Sequence, residues 1–429
     1  MSGTSARRGR IVDAILRHGR VGRREVVRSA EVVVSHGRGS YVYGEEGERY
    51  LDAVAGFGVA SLGHSHPRWV EAVIAQADRL VVNPFYGPEL ADYVTALSGL
   101  LPPQLGQVAL YSGGAEAVEA AIRLAQTSTG KPGIVTFSPG FHGKTTVGVR
   151  YSSDPTSSEA CLLAPDWFRV MPFPACEGHD AVSYAECQES AEETLARLTA
   201  RHDLDEVGAV LVEPILGTSG NIPPRRRFLP ELRQLCDDRG WALVFDELIT
   251  GFGRTGTLFA FEGFEATPDI LVLGKGIGGG VPLSAVCAAE ELWESSALAP
   301  PAATSSSFGG NPLACVAGLA TLEIVTDPEF LAQVKLASDI ASHRLRELSG
   351  ASSRVADPRG CGLMLGFDLI DPTTGSLASA DACLAAFRAC RDRGLLILAD
   401  VPRVRISPPL TISAAEVHEL FDVLSEVLV

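Results

Sequence analysis

Three short apolar segments near the middle of the chain, each ending in a charged residue, constrain the fold more than any other feature. The segments are Val207–Pro214, Trp241–Gly256 and Pro268–Gly280. Continuous apolar runs of this length are typical of strands buried on both faces of a parallel sheet. Their C-terminal ends carry Glu213, Asp246 and Lys275. Because ligands bind outside the carboxyl ends of strands in such sheets, we expect two acids and a lysine to face one crevice.

Helical and strand-like segments alternate from about residue 105 to residue 290. This alternation predicts an α/β fold with a doubly wound, mostly parallel central sheet wrapped by helices. Beyond residue 312 the pattern changes to long helices and then to short strand-like runs, as in an α+β unit. We expect three parts: an N-terminal segment over residues 1–60 that contributes to a small domain, a large domain over residues 61–312, and a C-terminal small domain over residues 313–429.

Local patterns predict individual elements as well. A hairpin is expected over residues 40–51, and an amphipathic helix is expected to begin at Pro67. Later predictions are helices over Glu116–Ala125 and residues 186–204, and a strand over Leu395–Leu398.

The charge balance restricts the class of partner. A formal net charge of -16 and a pI near 5.1 argue against nucleic acid and anionic membranes, because the field of the protein would repel both. No apolar run has the length needed to span a bilayer, and no signal-peptide pattern is recognised. The cysteines lack the spacing that holds zinc, so no metal is expected. We therefore expect a cytoplasmic protein that acts on small molecules.

The first residues of the chain differ from the rest in being rich in arginine. The arginines lie at positions 7, 8, 10, 17, 20, 23, 24 and 28, against only two acidic residues. One interpretation is an organellar transit peptide, which is also rich in arginine and poor in acids. The alternative, favoured by the lack of serine enrichment, is a basic helix or arm that packs on a partner subunit.

Several glycine-rich segments could bind phosphate. Gly274–Gly279 satisfies the dinucleotide pattern G-x-G-x-x-G, but Val281 and Pro282 follow it instead of a helix. His142–Thr145 imitates the end of a nucleotide-binding P-loop, yet Ser138 stands where its first glycine belongs. Ser112–Ala115 lies between a short strand and a helix, so its backbone N–H groups could cradle an anion. A plain strand-to-helix turn explains the same residues.

A lysine beside an aspartate and an anion cradle matches the needs of pyridoxal phosphate. A lysine amine forms a Schiff base with this cofactor, which then acts as an electron sink. The sink requires a protonated pyridine nitrogen. A carboxylate about 4 Å away favours that proton by roughly 4 kcal/mol at an effective dielectric of about 20, or about three pKa units. Asp246 could supply this carboxylate, and Lys275 the amine.

From about Tyr41 to the C-terminus, the chain resembles the class III (ω-type) aminotransferases of pyridoxal phosphate fold type I. The lysine of that family follows a strand and precedes glycines, which matches Lys275. Its pyridine-binding aspartate opens the run Asp-Glu-x-x-Thr-Gly-Phe-Gly-Arg-Thr-Gly, which matches Asp246. The resemblance implies the same fold, with a large domain and a smaller α+β domain built from the N- and C-terminal segments.

The resemblance also implies a set of cofactor-binding residues. They are Gly113, Gly114 and Ala115 in the phosphate loop, Phe141 and His142 after the next strand, with the phenyl ring stacked on the cofactor, and Ser307 in Ser307–Leu313. In the family the first position of this segment is usually Thr and reaches the phosphate of the neighbouring subunit, and Ser307 keeps the hydroxyl. The resemblance therefore implies a homodimer with both active sites at the interface.

Two charged residues match family positions that contact substrate. Arg405 matches an arginine that clamps a carboxylate, and Glu213 matches an acid that pairs with this arginine and releases it when a dicarboxylate binds. Phe57 stands where ornithine aminotransferases have Tyr. Ile249 stands where acetylornithine and ornithine aminotransferases tend to have Gln. Pro214–Gly220 also departs from the usual loop. These departures favour donors other than those two substrates.

The resemblance implies a ping-pong aminotransferase that moves a terminal or primary amino group from an amine, diamine, diamino acid or amino acid to a 2-oxo acid. Pyruvate and 2-oxoglutarate are the expected acceptors. A racemase or aminomutase of the same family would use the same lysine and aspartate. Decarboxylating members and a non-catalytic binding protein are further alternatives.

Overall fold

A seven-stranded sheet lies at the centre of the computed structural model, which describes residues 11–12, 14–15, 32–145, 167–175, 192–201, 203–400 and 402–429. The arginines of the N-terminal stretch lie outside these residues. The first described elements are β1 (Val34–Arg38), β2 (Tyr41–Gly44), β3 (Arg49–Asp52), α1 (Ala55–Gly58), α2 (Pro67–Arg79), α3 (Pro88–Gly99) and a 3₁₀ turn at Pro103–Leu105. The hairpin predicted over residues 40–51 is formed by β2 and β3, which pair antiparallel.

The middle of the chain supplies the central sheet and its covering helices. Its elements are β4 (Gln107–Tyr111), α4 (Gly114–Thr129), β5 (Gly133–Ser138), β6 (Phe168–Pro172), α5 (Glu192–Thr199), β7 (Val207–Val212), α6 (Phe228–Arg239), β8 (Ala242–Glu247), α7 (Ala260–Gly263), β9 (Ile270–Leu273), a 3₁₀ turn at Lys275–Gly278, β10 (Ser284–Ala288) and α8 (Glu290–Glu294). The predicted helix over residues 186–204 corresponds to α5, and residues 186–191 lie outside the described residues.

The strands are ordered β4, β10, β9, β8, β7, β5, β6. β10 runs antiparallel to both of its neighbours, whereas the other pairs are parallel. Every residue of β7 and β8 is buried, because helices cover both faces of the sheet. Six strands thus end at one edge, as the sequence predicts for a mostly parallel sheet.

The C-terminal part forms a smaller α+β unit. Its elements are a 3₁₀ turn at Pro301–Thr304, α9 (Pro312–Val325), α10 (Pro328–Ala351), β11 (Val355–Cys361), β12 (Met364–Leu369), α11 (Ala380–Arg391), β13 (Leu395–Leu396), β14 (Leu398–Asp400), β15 (Arg403–Ile406) and α12 (Ala414–Leu428). β11, β12, β15 and β14 form an antiparallel sheet. β13 pairs parallel with β3, which joins the N-terminal hairpin to this unit.

The strand predicted over Leu395–Leu398 is divided between two sheets. Leu395 and Leu396 pair with Leu51 and Asp52, while Leu398 begins a strand that pairs with Arg405. A continuous apolar run does not reveal such a division, because residues on both sides of it are buried.

Separate apolar cores support the large and small units. Residues from β4 to β10 fill two clusters, one on each face of the central sheet, and a third cluster lies between α10, α11, α12 and the small sheet. Ala314, Leu322 and Val325 of α9 pack in the larger cluster, so that core continues past residue 312. The division of the chain at residues 60 and 312 stays a prediction, and this packing favours a second boundary closer to Asp327.

Among the described residues, no helix combines the length and the apolar character needed to cross a membrane.

Candidate active site

The C-terminal edge of the central sheet brings the predicted acids and lysine together. Asp246, the fifth residue of β8, lies opposite Val272 of β9, and Phe245 lies opposite Val212 of β7. Glu213 and Lys275 come one and two residues after the last residues of their strands. The three side chains therefore leave neighbouring strands at one edge, as the sequence predicts.

Asp246 is buried and is fixed by two hydrogen bonds. Nδ1 of His142 donates to Asp246 Oδ2 at 2.8 Å, and the N–H of Leu248 donates to Oδ1 at 3.1 Å. His142 is also buried, and its Nε2 lies 3.3 Å from Oγ1 of Thr136. Burial alone would lower the pKa of His142, but the hydrogen bond and charge of Asp246 outweigh burial and raise it. The raised pKa favours the protonated form of His142, whose Nδ1 donates to the Asp246 carboxylate.

Glu213 connects the sheet edge to two loops. Its Oε1 accepts the N–H of Phe141 at 2.8 Å, and its Oε2 accepts the N–H of Gly217 at 3.0 Å. Burial raises the pKa of Glu213, although nearby His142 and the two backbone donors oppose the increase. A buried carboxyl group in this setting ionises more readily when a positive charge approaches it.

Lys275 has the properties of a reactive amine. Its φ of 48° is uncommon for a residue with a side chain and indicates backbone strain of the kind that is concentrated at functional sites. Burial lowers the pKa of Lys275, Arg405 lowers it further, and Asp246 and Glu213 oppose them in part. The amine therefore reaches its neutral, nucleophilic form at a lower pH than an exposed lysine.

The loop before α4 presents backbone N–H groups at the start of a helix, as the sequence predicts for an anion cradle. Gly113 precedes the helix, and the N–H groups of Gly114 and Ala115 lie in the first turn, where a helix offers no backbone acceptors. A Cβ on Gly114 would lie 2.9 Å from Cδ1 of Leu248, so a larger residue there would displace the Leu248 side chain. Oγ of Ser284 donates to the Gly113 carbonyl at 3.0 Å and fixes this peptide.

The loop that carries Ser307 lies beside the cradle of its own chain. Ser307 is exposed, while the hydroxyl of its neighbour Ser306 donates to Oε1 of Glu116 at 2.9 Å. Oε2 of Glu116 accepts the N–H of Ser112 at 3.1 Å. Ser306 and Glu116 thus join two segments of the phosphate region within one chain. The expected contact of Ser307 with a neighbouring subunit stays a prediction.

A narrow pocket lies between the central sheet edge and the small unit. Its lining includes Phe57, Asn221, Ile249, Leu398 and Arg405. Phe57 has a φ of 64° inside α1, so its side chain is presented by a strained, left-handed turn. The pocket thus places one guanidinium among apolar side chains, an arrangement that suits a carboxylate attached to a hydrocarbon chain.

These residues fit pyridoxal phosphate. The Asp246 carboxylate makes one hydrogen bond through each oxygen, and its remaining lone pairs can accept a pyridinium N–H. Gly113, Gly114 and Ala115 would hold the phosphate, and Lys275 would hold the aldehyde carbon. Phe141 and His142 follow β5 at the same sheet edge, where the sequence expects them to contact the cofactor ring.

The fold and this site define a pyridoxal phosphate enzyme of fold type I. A solved amine transaminase from an uncultivated Pseudomonas species, in its pyridoxal-phosphate-bound form, is similar over 96% of this chain and 97% of that chain, with a TM-score of 0.83 and 26% identity. Acetylornithine aminotransferase from Elizabethkingia anophelis has a similar fold, with a TM-score of 0.78, 24% identity and 98% of each chain covered.

The chain belongs to the class-III aminotransferases, whose family model matches residues 23–428. Acetylornithine aminotransferase from Methanothermobacter thermautotrophicus is 34% identical over 92% of this chain and 94% of its own length. The 2-aminoadipate transaminase of Pseudomonas putida is 34% identical over 92% and 95%. The protein is therefore a pyridoxal-phosphate-dependent transaminase that takes an amino donor and an oxo-acid acceptor.

Sequence reasoning missed several contacts that shape the site. The N–H of Leu248 donates to Asp246, and the Leu248 side chain packs between Gly114 and Gly274. Gly217 donates its N–H to Glu213 and accepts a hydrogen bond from Arg405 at its carbonyl. Arg405 donates from Nη1 to the Gly217 carbonyl at 3.2 Å, so both charged side chains contact one residue. The departure of the Pro214–Gly220 loop from the family pattern was visible in the sequence, but the partners of Gly217 were not, because Arg405 is 188 residues away.

We expect the capture of pyridoxal phosphate by the cofactor-free protein to depend on the neutral form of Lys275. The second-order rate constant for covalent capture should therefore rise with pH and reach half of its maximum below pH 10.5, the ordinary value for lysine. Stopped-flow absorbance across a pH series measures this midpoint. A midpoint at or above the ordinary lysine pKa would show that burial does not tune this amine.

Proposed function

We propose that the protein catalyses ping-pong transfer of a terminal or primary amino group from an amine, diamine, diamino acid or amino acid to a 2-oxo acid such as 2-oxoglutarate or pyruvate. The observation that carries this proposal is the common sheet edge of Lys275, Asp246 and Glu213, with Arg405 close enough to Lys275 to lower the pKa of the amine. The Lys275 amine, the Asp246 carboxylate and the carboxylate-binding Arg405 would each serve a different step.

Bound pyridoxal phosphate supplies an electron sink for negative charge at the substrate carbon. Asp246 would keep the ring nitrogen protonated, and His142 holds that carboxylate in place through its 2.8 Å hydrogen bond. Nζ of Lys275, released from the cofactor by the donor, would carry the proton from and to the substrate carbon. Its lowered pKa suits this role, because burial favours the neutral amine, which can accept a proton.

Arg405 and Glu213 would allow one site to accept two kinds of substrate. Arg405 is anchored through Nη1 on the Gly217 carbonyl, which orients the guanidinium plane toward a carboxylate. Glu213 would offset the arginine charge while a donor without a nearby carboxylate is bound. Its raised pKa allows it to change ionisation as that charge is taken up by an acid substrate.

The donor is the least constrained part of the proposal. Relatives named as acetylornithine, 2-aminoadipate and [LysW]-aminoadipate semialdehyde transaminases are 33–35% identical to this chain, so overall similarity does not select one donor. A Cβ added to Gly58 would lie 3.7 Å from Cγ2 of Ile249. The Ile249 side chain therefore forms an apolar wall of the pocket. This wall supports donors whose chain is apolar near the reacting amine.

A donor panel tests the activity. Diamines, ω-amino acids, acetylornithine and amino sugars are each incubated with holoenzyme and with 2-oxoglutarate or pyruvate, and formation of glutamate or alanine is measured. The proposal expects amino acid product that depends on the oxo acid. Rearranged or epimerised donor without any oxo acid would instead identify a racemase or aminomutase.

We also propose a homodimer with the active sites at its interface. Phe85, Tyr86 and Phe308 are 80%, 98% and 64% exposed, and Ile74 on α2 is 65% exposed. The N–H of Leu313 donates to the Val81 carbonyl, which links the segment after α2 to the end of the Ser307–Leu313 segment. Large exposed apolar groups of this kind mark interaction surfaces. A monomeric mass by sedimentation of fully loaded enzyme would contradict the dimer.

The cytoplasmic location and the interface role of Ser307 belong to the same proposal. Cell fractionation of the native host tests the location. Loss of cofactor from a Ser307→Ala variant, with the dimer intact, would support the phosphate contact.

A further inference from the structure

Three arginines of the small unit donate hydrogen bonds to one loop of the large unit. This loop, Gly217–Asn221, lies between β7 and α6. Nε of Arg359 donates to the Gly220 carbonyl at 3.1 Å, and Nη1 of Arg403 donates to the Ser219 carbonyl at 2.9 Å. Arg405 donates to the Gly217 carbonyl. The loop thus receives three guanidinium groups from β11 and β15.

Arg359 has the most constrained side chain of the three. It is 1% exposed, and its three nitrogens contact three different groups. Nη1 donates to Asp357 Oδ2 at 2.8 Å, Nη2 donates to Asp368 Oδ1 at 2.7 Å, and Nε holds the loop. The two carboxylates compensate the buried charge and fix the plane of the guanidinium, so its Nε has a defined direction.

The loop fits closely against the small sheet. A Cβ on Gly220 would lie 2.6 Å from Cδ of Arg403 and 3.0 Å from Nη2 of Arg359. A Cβ on Gly366 of β12 would lie 2.5 Å from the Gly220 carbonyl oxygen. Glycine at both positions allows the backbones to approach, and it leaves the loop little freedom to move while Arg359 is in place.

Asn221 fastens the end of the same loop. Its Nδ2 donates to the Leu365 carbonyl at 2.7 Å and to Oγ of Ser407 at 3.1 Å. Its φ of 55° is a left-handed conformation that asparagine tolerates better than most residues. The amide therefore holds the loop against both β12 and the residue that follows β15.

The other side of the loop contacts the groups of the active site. The Gly217 N–H donates to Glu213, and the Ser219 hydroxyl donates to the Pro139 carbonyl, two residues before Phe141. Phe141 in turn donates to Glu213, and His142 donates to Asp246. A displacement of the loop would therefore alter Glu213 and the Arg405 anchor together.

We propose that Arg359 is a positioning residue for the substrate carboxylate, acting through the Gly217–Asn221 loop to set the orientation of Arg405 and Glu213. This inference rests on the proposed carboxylate clamp at Arg405. Without the guanidinium of Arg359, Asp368 would attract Arg403, whose Nε already lies 3.9 Å from Asp368 Oδ1. The Ser219 carbonyl would then lose the hydrogen bond that Arg403 donates to it. The loop would then no longer present the Gly217 carbonyl to Arg405.

An Arg359→Lys variant tests this role without removing the buried charge. One ammonium group cannot reach in three fixed directions as the guanidinium does. Arg344→Lys is the matched control, because Arg344 also binds two carboxylates, Glu347 and Asp422, and its hydrogen bonds and ion pairs join α10 to α12 within the small unit. Both variants are purified as holoenzyme and compared with the wild type by near-ultraviolet circular dichroism.

Glutarate is the probe, because it carries two carboxylates and no oxo group that could react. Isothermal calorimetry should give a dissociation constant about tenfold higher for Arg359→Lys, the consequence of losing roughly one charge-assisted contact. Arg344→Lys should stay within about twofold of wild type. Equal affinity in all three proteins would overturn the inference, and so would wild-type holoenzyme that does not bind glutarate.

Steady-state kinetics separate positioning from general damage. In Arg359→Lys the KM for 2-oxoglutarate should rise about tenfold. The KM for propanal, an acceptor without a carboxylate, should stay within about twofold of the wild-type value. A loss of equal size with both acceptors would assign Arg359 a structural role and contradict the proposal. Failure of the proposed function has a different signature, since wild-type enzyme would then aminate neither acceptor.

If Arg359→Lys does not fold, Asn221→Gly provides the same test. Glycine accepts the left-handed backbone of this position and removes both amide hydrogen bonds. The glutarate dissociation constant should again rise several-fold, because the two hydrogen bonds that hold the loop are lost. An unchanged constant in a folded Asn221→Gly protein would show that the loop does not position the carboxylate site.

Discussion

Replacing Lys275 with alanine is expected to lower transamination by roughly 10⁴-fold, because one amine serves both as the cofactor attachment and as the proton carrier. The variant should still bind pyridoxal phosphate through the cradle and Asp246, but the cofactor should leave on dialysis. Product formation with the best donor and 2-oxoglutarate measures the rate, and absorbance after dialysis measures retention.

Lys335→Ala is the control for this substitution, since Lys335 is an exposed lysine on α10. It should retain wild-type turnover and cofactor. Turnover of Lys275→Ala at the wild-type rate would contradict the role of Lys275 as cofactor attachment and proton carrier. A variant that cannot bind the cofactor at all would show that the cradle and Asp246 contribute little affinity.

Replacing Asp246 with asparagine is expected to reduce turnover by about 10³-fold while cofactor binding persists. A carboxylate about 4 Å from the ring nitrogen favours its protonation by roughly 4 kcal/mol at an effective dielectric of about 20. The neutral amide of asparagine would remove most of this stabilisation, and the rate would fall accordingly. The same change should lower the pKa of His142, because the carboxylate charge that raises it is lost while burial remains. Nuclear magnetic resonance of a labelled imidazole detects that shift.

Asp269→Asn is the matched control for Asp246→Asn. Asp269 lies just before β9, at the opposite edge of the same sheet, and it also accepts a backbone N–H, from Leu243 at 2.7 Å. This variant loses an ion pair with Arg233 and should lose stability but keep its turnover per folded molecule. Wild-type rates in Asp246→Asn would refute the role of Asp246 at the ring nitrogen.

The sequence predicted the sheet edge because its signal is local. The strand that precedes Glu213 and the strand that carries Asp246 are short runs buried throughout, and Gly274 follows the last residue of the next strand. Parallel strands share one edge for their carboxyl ends, so the convergence of these residues follows from the pattern alone. The cradle at Gly114 follows from a glycine at the start of a helix.

The contacts between units could not be predicted in this way. Arg359 lies in an unremarkable Asp-Pro-Arg-Gly segment, and its loop partner Gly220 is 139 residues away. The joint use of Gly217 by Glu213 and Arg405 likewise depends on how the small sheet packs against the loop. Periodicity predicts which face of an element is buried, but it does not say which distant backbone carbonyl a buried guanidinium will meet.

The exposed residues of α2 show a different limit. The apolar stripe that predicts this helix includes Ile74 and Leu80, yet these side chains are 65% and 44% exposed in the single chain. An amphipathic pattern predicts a buried face without specifying whether the same chain or a second copy covers it.

A half-reaction with the labelled cofactor tests the central claim most directly. Cofactor-free protein is loaded with pyridoxamine phosphate that carries ¹⁵N in its amino group, and 2-oxoglutarate or pyruvate is added without any amino donor. The account predicts about one equivalent of ¹⁵N-labelled glutamate or alanine per site, with conversion of the cofactor to its aldehyde form. Retention of the label on the cofactor with both acceptors would contradict the account.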